Sequence, residues 1–393
     1  MQNAEEQLMA STGKKGIAKT GSKATDKTPQ LALFELLDSS ESDYSNTIEL
    51  YDALPKYVWA NTELDLRENS VITRQLKSRG AVYTIKIKPA VVERTNDNGE
   101  TVSVMLYPGS REEIVEEALR KIAVNGNSFE SPDDKEVGVY FTISQLRKEL
   151  ARTKHSYSAQ EVQEALDVMS SSLLECSTGS GKGRNSYRGN LLPKLAITTR
   201  EDYLSDGSAR CFATFHPLVT LGVKTQAFRM YDYSISMGLK SDLARYIYKR
   251  ISHYWTQASL NHPYQPKLVS FLEQSPRGLS ERMKDNMRAM RTALKSLAEQ
   301  NVILPGWNEV MIKDDHDKRV TKDIQFEILP HDNFIKHMMK ANKKASDIKG
   351  KIGIAEAKEA VKGKNVIEGS AEAPQNIGAE GSFPEDGSDQ VFD

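Results

Sequence analysis

Twice along the 393 residues, a run of three helical patterns is followed by a pair of strands, and polar segments flank the whole. This order predicts an α+β fold: two tandem winged-helix domains with disordered N- and C-terminal tails. Three observations carry it. Apolar residues recur at helical spacing in each run, Ser-x-x-Glu boxes open two of the helices, and turn residues separate β-like alternations at the end of each unit.

Residues 1–45 read as a disordered tail, polar apart from the island Leu31-Ala32-Leu33-Phe34-Glu35-Leu36-Leu37. Residues 46–109 read as a strand and hairpin extension, in which Val82–Ile87 pairs with Val102–Leu106 around Asn96-Asp97-Asn98-Gly99. The first winged helix spans 110–235. Ser110 with Glu113 opens a helix whose buried stripe is Ile114, Ala118 and Ile122. Ser144–Arg152 is the second helix, and Ser158 with Glu161 opens the third, with Val162, Leu166 and Met169 inward. The strands Leu173–Ser177 and Leu192–Thr198 close the unit around a Gly-rich loop.

The second winged helix spans 236–340. Ser241 caps a helix with Leu243, Tyr246, Ile247, Ile251 and Tyr254 on its apolar face, and Lys267–Glu273 is a short second helix. Ser280 starts a long third helix to Gln300. Val302–Ile312 and Val320–Ile328 then form a hairpin around Lys313–Arg319. Residues 341–393 turn Lys-rich and then acidic, which predicts a frayed helix followed by disorder.

With 38% hydrophobic residues the chain can build cores, but no apolar run is long enough to cross a bilayer and no secretory signal opens it. Cys176 and Cys211 are too few for a disulfide framework or a metal cluster, so a reducing cytoplasm is the expected compartment, with no membrane contact. The net charge of −1 conceals segregation. Every ionisable side chain from Val366 to Asp393 is acidic, whereas basic residues outnumber acidic ones between Arg277 and Lys322. Affinity for nucleic acid follows such local patches.

The segment from Leu279 to Gln300 concentrates that charge. Met283, Met287, Met290, Leu294 and Leu297 share one helical face. Lys284, Arg288, Arg291 and Lys295 follow one residue later, so they form a parallel stripe about a hundred degrees around the helix. Asp285 and Thr292 border the stripe, and Arg282 and Asn286 lie in the first turns, where they can reach base edges while the other cations meet phosphates. Lys313, Lys318, Arg319 and Lys322 suit a wing that grasps backbone, or an ordinary polar turn.

The third helix of the first unit carries Gln160, Glu161, Gln163, Glu164 and Asp167 outward, a face that phosphates repel. Its DNA candidates are Lys182, Arg184 and Arg188 around the Gly-rich loop; a dimerising or protein-binding role fits equally.

Catalytic chemistry is not visible. Ser177–Gly183 fails as a phosphate loop, because Cys176 stands where the first Gly belongs and Gly183 replaces the Ser or Thr that would hold magnesium. The seven histidines have neither metal-ligand spacing nor a pair around one apolar residue. Asp314, Asp315 and Asp317 read as a polar hairpin tip. The expectation is a non-enzymatic protein without cofactor or metal.

The order of residue types from about 80 to 335 resembles the plasmid replication initiators built of two winged helices, the TrfA and RepA type. Tyr83-Thr84-Ile85, Thr142-Ile143-Ser144-Gln145-Leu146, Ser208-Ala209-Arg210-Cys211, Ser241-Asp242-Leu243-Ala244-Arg245-Tyr246, Pro263-Tyr264-Gln265-Pro266-Lys267-Leu268 and the basic helix carry it. The resemblance implies binding to repeated origin sites (iterons) in double-stranded DNA, melting of adjacent DNA, and recruitment of host proteins such as the replicative helicase and the host initiator. It also implies autoregulation, a monomer–homodimer equilibrium, and base reading mainly by the C-terminal unit. Gln30, Leu31, Leu33 and Phe34 are similar to the bacterial sliding-clamp-binding motif; the alternative is a helix, Leu31–Leu37, packed on the folded body. Competing functions are a winged-helix transcriptional repressor and, from another class, a nicking or strand-transfer enzyme.

Overall fold

The computed structural model describes residues 28–35, 43–59, 71–78, 80–95, 98–179, 185–198, 210–317 and 319–364. Most of the two predicted tails, 1–27 and 365–393, lies outside the described residues. The architecture is α+β, and the chain divides into two compact units, 1–345 and 346–393. Both three-helix patterns belong to the first.

The first described element corrects the N-terminal reading. Helix α1 (Pro29–Phe34) starts at Thr28, whose hydroxyl donates to Glu130 at 2.7 Å. Leu31 and Phe34 are fully buried, the Phe34 ring meeting Phe228 edge-on at 5.2 Å. Asn46 donates to the Phe34 carbonyl at 2.6 Å. The described start of the apolar island is therefore a docked helix, because Leu31 and Phe34, three residues apart, fall on one helical face that the body covers; Leu36 and Leu37 lie outside the described residues.

Strand β1 (Tyr44–Ile48) leads to α2 (Glu49–Ala53). Next, β2 (Ile72–Ser78) and β3 (Ala81–Lys88) form one hairpin, and β4 (Ala90–Thr95) and β5 (Thr101–Leu106) form another. The Val82–Ile87 segment thus does not pair with Val102–Leu106. Thr95 pairs with Thr101 where β4 meets β5, with Gly99 at φ +81°; Asn96 and Asp97 of the predicted turn lie outside the described residues. Pro89 explains the difference: lacking an N–H, it ends the β3 ladder and lets a new strand begin at Ala90.

Helix α3 (Ser110–Ile122) is capped one residue earlier than predicted, since Glu112 accepts from the Gly109 N–H at 2.8 Å. Ser110 donates to Asp242 instead, and Glu113 accepts from Trp59 and Lys249. The predicted stripe of Ile114, Ala118 and Ile122 is buried, but so are Glu112, Glu113, Glu116, Glu117, Arg120 and Lys121. This helix runs through the interior with no solvent face.

β6 (Ser128–Glu130) and β7 (Val137–Phe141) precede α4 (Ile143–Arg152) and α5 (Ala159–Ser171). The Ser158–Glu161 box forms as expected, with Val162, Leu166 and Met169 buried. β8 (Leu173–Thr178) and β9 (Asn185–Asn190) complete a sheet of order β2-β3-β8-β9. The predicted partner of β8, Leu192–Thr198, is not in that sheet. Its short β10 (Leu195–Ala196) pairs with β11 (Cys211–Thr214), in the order β10-β11-β7-β6. β9 escapes a hydrophobicity reading because it is polar on its outer face, while its inner Gly189 lies so close to α6 (Pro217–Lys224) that a Cβ would sit 2.9 Å from Pro217.

β12 (Phe228–Asp232) pairs antiparallel with β1, and α7 (Tyr233–Gly238) follows. The second three-helix pattern contains α8 (Asp242–Tyr254), α9 (Leu268–Glu273) and α10 (Met283–Glu299), then the hairpin of β13 (Asn308–Lys313) and β14 (Thr321–Glu327). Isolated bridges from Tyr264 and Lys267 to Ile328 and Gln325 hold the open side of that hairpin. In each of the two three-helix patterns the helices precede an antiparallel hairpin, the winged-helix order. α11 (Asp332–Lys364) extends the predicted C-terminal helix to residue 364.

The central helices α3 and α8 meet through buried charge. Lys249 donates to Glu113 and Glu117, both at 3.0 Å. Arg120 grips Asp52 with two bonds of 2.7 and 2.8 Å and also bonds Glu117. Tyr231 donates to Glu117, and Tyr57 to Glu116. Burial alone would raise the Asp52 pKa, but Arg120 and Lys56 outweigh it and hold the carboxyl well below the usual range. Burial likewise works against the Lys249 ammonium, and Glu117 with Glu113 more than restores it. Such a network is tolerable only while complete, since deleting one partner strands the others without water.

Candidate nucleic-acid interface

Helix α10 begins at Met283, later than Ser280, because its entrance is tied down from inside. The Asn286 amide accepts from the Ser280 N–H at 2.9 Å and donates to the Ser280 carbonyl at 2.8 Å. Arg277 also donates to Asn286, at 3.0 Å. Asn286, read from the sequence as a residue that reaches base edges, is therefore buried and bound to its own loop. An Asn one turn into a helix signals either role, and burial is what separates them.

The apolar face is placed largely as the spacing predicts. Met290, Leu294 and Leu297 are fully buried together with Ala293, while Met283 and Met287 are half-buried nearer the helix start. On the neighbouring stripe Lys284, Arg288, Arg291 and Lys295 are all exposed, as is Arg282 at the N-cap. Their surroundings differ. Arg291 forms a two-pronged pair with Glu309 of β13, at 2.9 and 2.6 Å. That hydrogen bond raises the Arg291 pKa and lowers that of Glu309. Lys295 stands 4.0 Å from Glu299, and its side chain is 76% exposed. Among the described residues, Lys284 and Arg288 have no salt-bridge partner within 4 Å.

The Arg291–Glu309 pair fixes the hairpin against the helix, reinforced by Trp307 donating to Glu309 at 3.0 Å. The predicted wing cations lie on that hairpin: Lys313, which donates to Thr321 at 3.1 Å, Arg319 and Lys322 are exposed. Lys318 lies outside the described residues. Asp314 accepts from the N–H groups of His316 and Asp317, so it shapes the turn. A cleft of about 530 Å³ beside the start of α10 is lined by Trp59, Lys240, Asp242, Arg277, Arg288 and Thr292 among others.

The first unit offers less. Lys182 and Arg184 lie outside the described residues, and Arg188 is exposed on β9. On α5, Glu164 is held by Arg94 at 2.7 Å and Arg111 at 2.8 Å. Burial raises its pKa, but those two guanidinium groups outweigh this and lower it. Sequence spacing does not reveal these partners, because both are distant along the chain. Of the clamp-like residues, Leu31 and Phe34 are buried in the body and Gln30 and Leu33 are half-buried, so the motif is not displayed on a free tail. The reason is the cover given by Phe228 and β6. The lysines of β2 and β3 also escape a sequence reading, since they carry no helical spacing.

No family model matches the sequence, and no curated protein matches it. Among solved structures the chain is similar to domains 2 and 3 of RctB. A selenomethionine crystal structure of these domains aligns with a TM-score of 0.42 and 12% identity, over 70% of this chain and 96% of that one. A second RctB structure gives 0.41 and 12%, over 75% and 99%. The Pi initiator protein in complex with iteron DNA gives 0.32 and 10%, over 56% of this chain and 91% of that one.

Proposed function

We propose that this chain is a plasmid-type replication initiator that binds repeated sites in duplex origin DNA, with α10 in the major groove and the β13–β14 hairpin over the adjoining backbone. One observation carries the reading. Lys284, Arg288 and Lys295 stand exposed along one stripe of a helix whose opposite face is buried, beside a hairpin bearing Lys313, Arg319 and Lys322. Cations in that arrangement face phosphates at a groove edge. Arg282, at the helix N-terminus, is the residue placed to reach a base edge.

The sequence resemblance to the two-winged-helix initiators supports the initiation role. With it come melting of adjacent DNA, contacts with the host helicase and host initiator, control of the protein's own gene, and dimerisation through the first unit. Capture of the sliding clamp by Leu31 and Phe34 is not part of the reading, since both side chains are interior. Among the described residues no helix is long and apolar enough to cross a membrane.

The test is footprinting on the DNA that flanks the gene. Regularly spaced protected repeats are expected, and a single palindrome would favour the repressor. Replacing Lys284, Arg288 and Lys295 with Ala should flatten the salt dependence of binding by about one unit of slope for each phosphate no longer neutralised. Unchanged affinity would remove α10 from the interface. Supercoiled origin DNA incubated with magnesium should stay supercoiled.

A further inference from the structure

The sheet β2-β3-β8-β9 has two faces of opposite character. Ile72, Leu76, Ile85, Ile87, Leu174 and Cys176 point inward, and burial pushes the Cys176 thiol up to about 11. The other face is mainly polar, with Val82 and Leu173 toward its ends and Ser177 buried at its centre. The register places Thr73, Lys86, Glu175 and Arg188 side by side across the four strands, with Gln75, Thr84, Ser177 and Ser186 in the next row. Lys88 and Lys77 extend the same face at its two ends, so its described cations are Lys77, Lys86, Lys88 and Arg188 against the single acid Glu175. Neighbouring strands lie about 4.8 Å apart and same-face residues about 7 Å apart, so these cations cover a plane rather than a point. No aromatic side chain stands among these rows to stack on unpaired bases, which favours backbone contact over single-strand reading.

This face is linked to the start of α10. Arg74, on the buried side of β2, donates to the carbonyls of Pro55 and Tyr57 at 2.7 Å each and of Pro276 at 3.0 Å. Burial pulls its pKa down to about 10. Pro276 immediately precedes the loop that Asn286 locks, so β2 is fastened to the entrance of the proposed reading helix. Ser78 and Tyr254 make a second link, from the end of β2 to the end of α8, at 3.4 Å.

We infer that the outer face of this sheet is a second contact surface for the phosphodiester backbone of duplex DNA, taken up by the stretch of duplex that continues past the site held by α10. The inference rests on the reading of α10 for the position of that DNA, while the sheet's charge complementarity stands by itself. It gives the first unit a DNA role through a β-face, although the exposed end of its third helix is acidic.

The experiment compares two duplexes, one of about one and a half turns centred on the α10 site and one longer by about a turn on each side. The variant K77Q/K86Q/K88Q is measured beside the Lys284, Arg288 and Lys295 variant, with Arg188→Gln as a second probe at the opposite edge and thermal unfolding as the check on folding. The sheet variant should bind the long duplex about tenfold more weakly or worse, and the short duplex as the parent does. Its salt slope on the long duplex should flatten by about 0.9 for each phosphate no longer neutralised. Equal affinity for the long duplex in both sheet variants and parent overturns the inference and leaves α10 standing. Equal loss on both duplexes also overturns it. Loss by the sheet variant with none by the α10 variant retains the sheet and overturns the assignment of α10.

Discussion

The third helices of the two units, α5 and α10, occupy equivalent places in sequence and present opposite surfaces. Each has one outward charge taken by a β-hairpin: Glu164 of α5 by Arg94 of β4, and Arg291 of α10 by Glu309 of β13. What remains differs. α5 keeps Gln160, Glu161, Gln163 and Asp167, and α10 keeps Lys284, Arg288 and Lys295. The difference teaches that one scaffold can carry outer surfaces of opposite sign, because the sign of an outer stripe is independent of the apolar stripe that folds it.

The largest effect tests whether both helices belong to one body. Lys249→Ala leaves Glu113 and Glu117 buried beside each other without their shared cation, and should cost about 3–5 kcal/mol in urea unfolding. The transition should remain single. Two transitions, one per winged helix, would break the comparison at its base.

Next comes a titration confined to the first unit. His216 is held in its neutral form, its Nδ1 accepting from the Leu218 N–H at 3.2 Å and its Nε2 facing the Leu174 carbonyl. Burial pulls its pKa down to about 4. A histidine depressed in the folded state binds fewer protons there than when unfolded, so stability is full above about pH 6.5 and falls as the pH drops toward 4. The loss between pH 7.5 and 5 should be about 2 kcal/mol. His216→Asn, which retains a helix-capping side chain, should flatten that part of the profile; an unchanged profile would assign it elsewhere.

A smaller effect addresses Arg291. Glu309→Gln frees its guanidinium, so DNA affinity should rise severalfold while stability changes by less than about 1 kcal/mol, as for exposed pairs. A fall in affinity would mean that the pair's role in seating the hairpin outweighs the charge. The smallest effect expected is at Gln160→Ala with Gln163→Ala, whose DNA affinity should match that of the parent; a loss would put α5 at the DNA and cancel the contrast.

Much of this was legible in the sequence. The helices, the Ser158 box, the apolar stripe of α10 and its exposed cations follow from local spacing, which a single helix obeys by itself. Strand partners were not, since β3 pairs with its neighbour β2, which no strand reading covered, and with β8, far along the chain, instead of β5. Charge burial was not either. Glu113 reads as the partner of Ser110, and Glu117 and Lys249 give no sign of burial, until the elements that cover them are assembled; Asn286 reads as a base contact until its loop is seen. The clamp-like residues are ambiguous for the same reason, because Leu31 and Phe34 suit a partner's pocket and the chain's own interior equally well, and here the interior holds them.

The interior charges around Lys249 and the exposed ones along α10 respond differently to the ions of the medium. Added salt screens exposed cations and would remove the counterion gain behind the proposed DNA binding, while charges sealed from solvent barely feel it. Ionic strength thus works as a selective solvent handle: a strong wash should strip nucleic acid from this protein and leave its internal scaffold folded, ready to bind again on dilution.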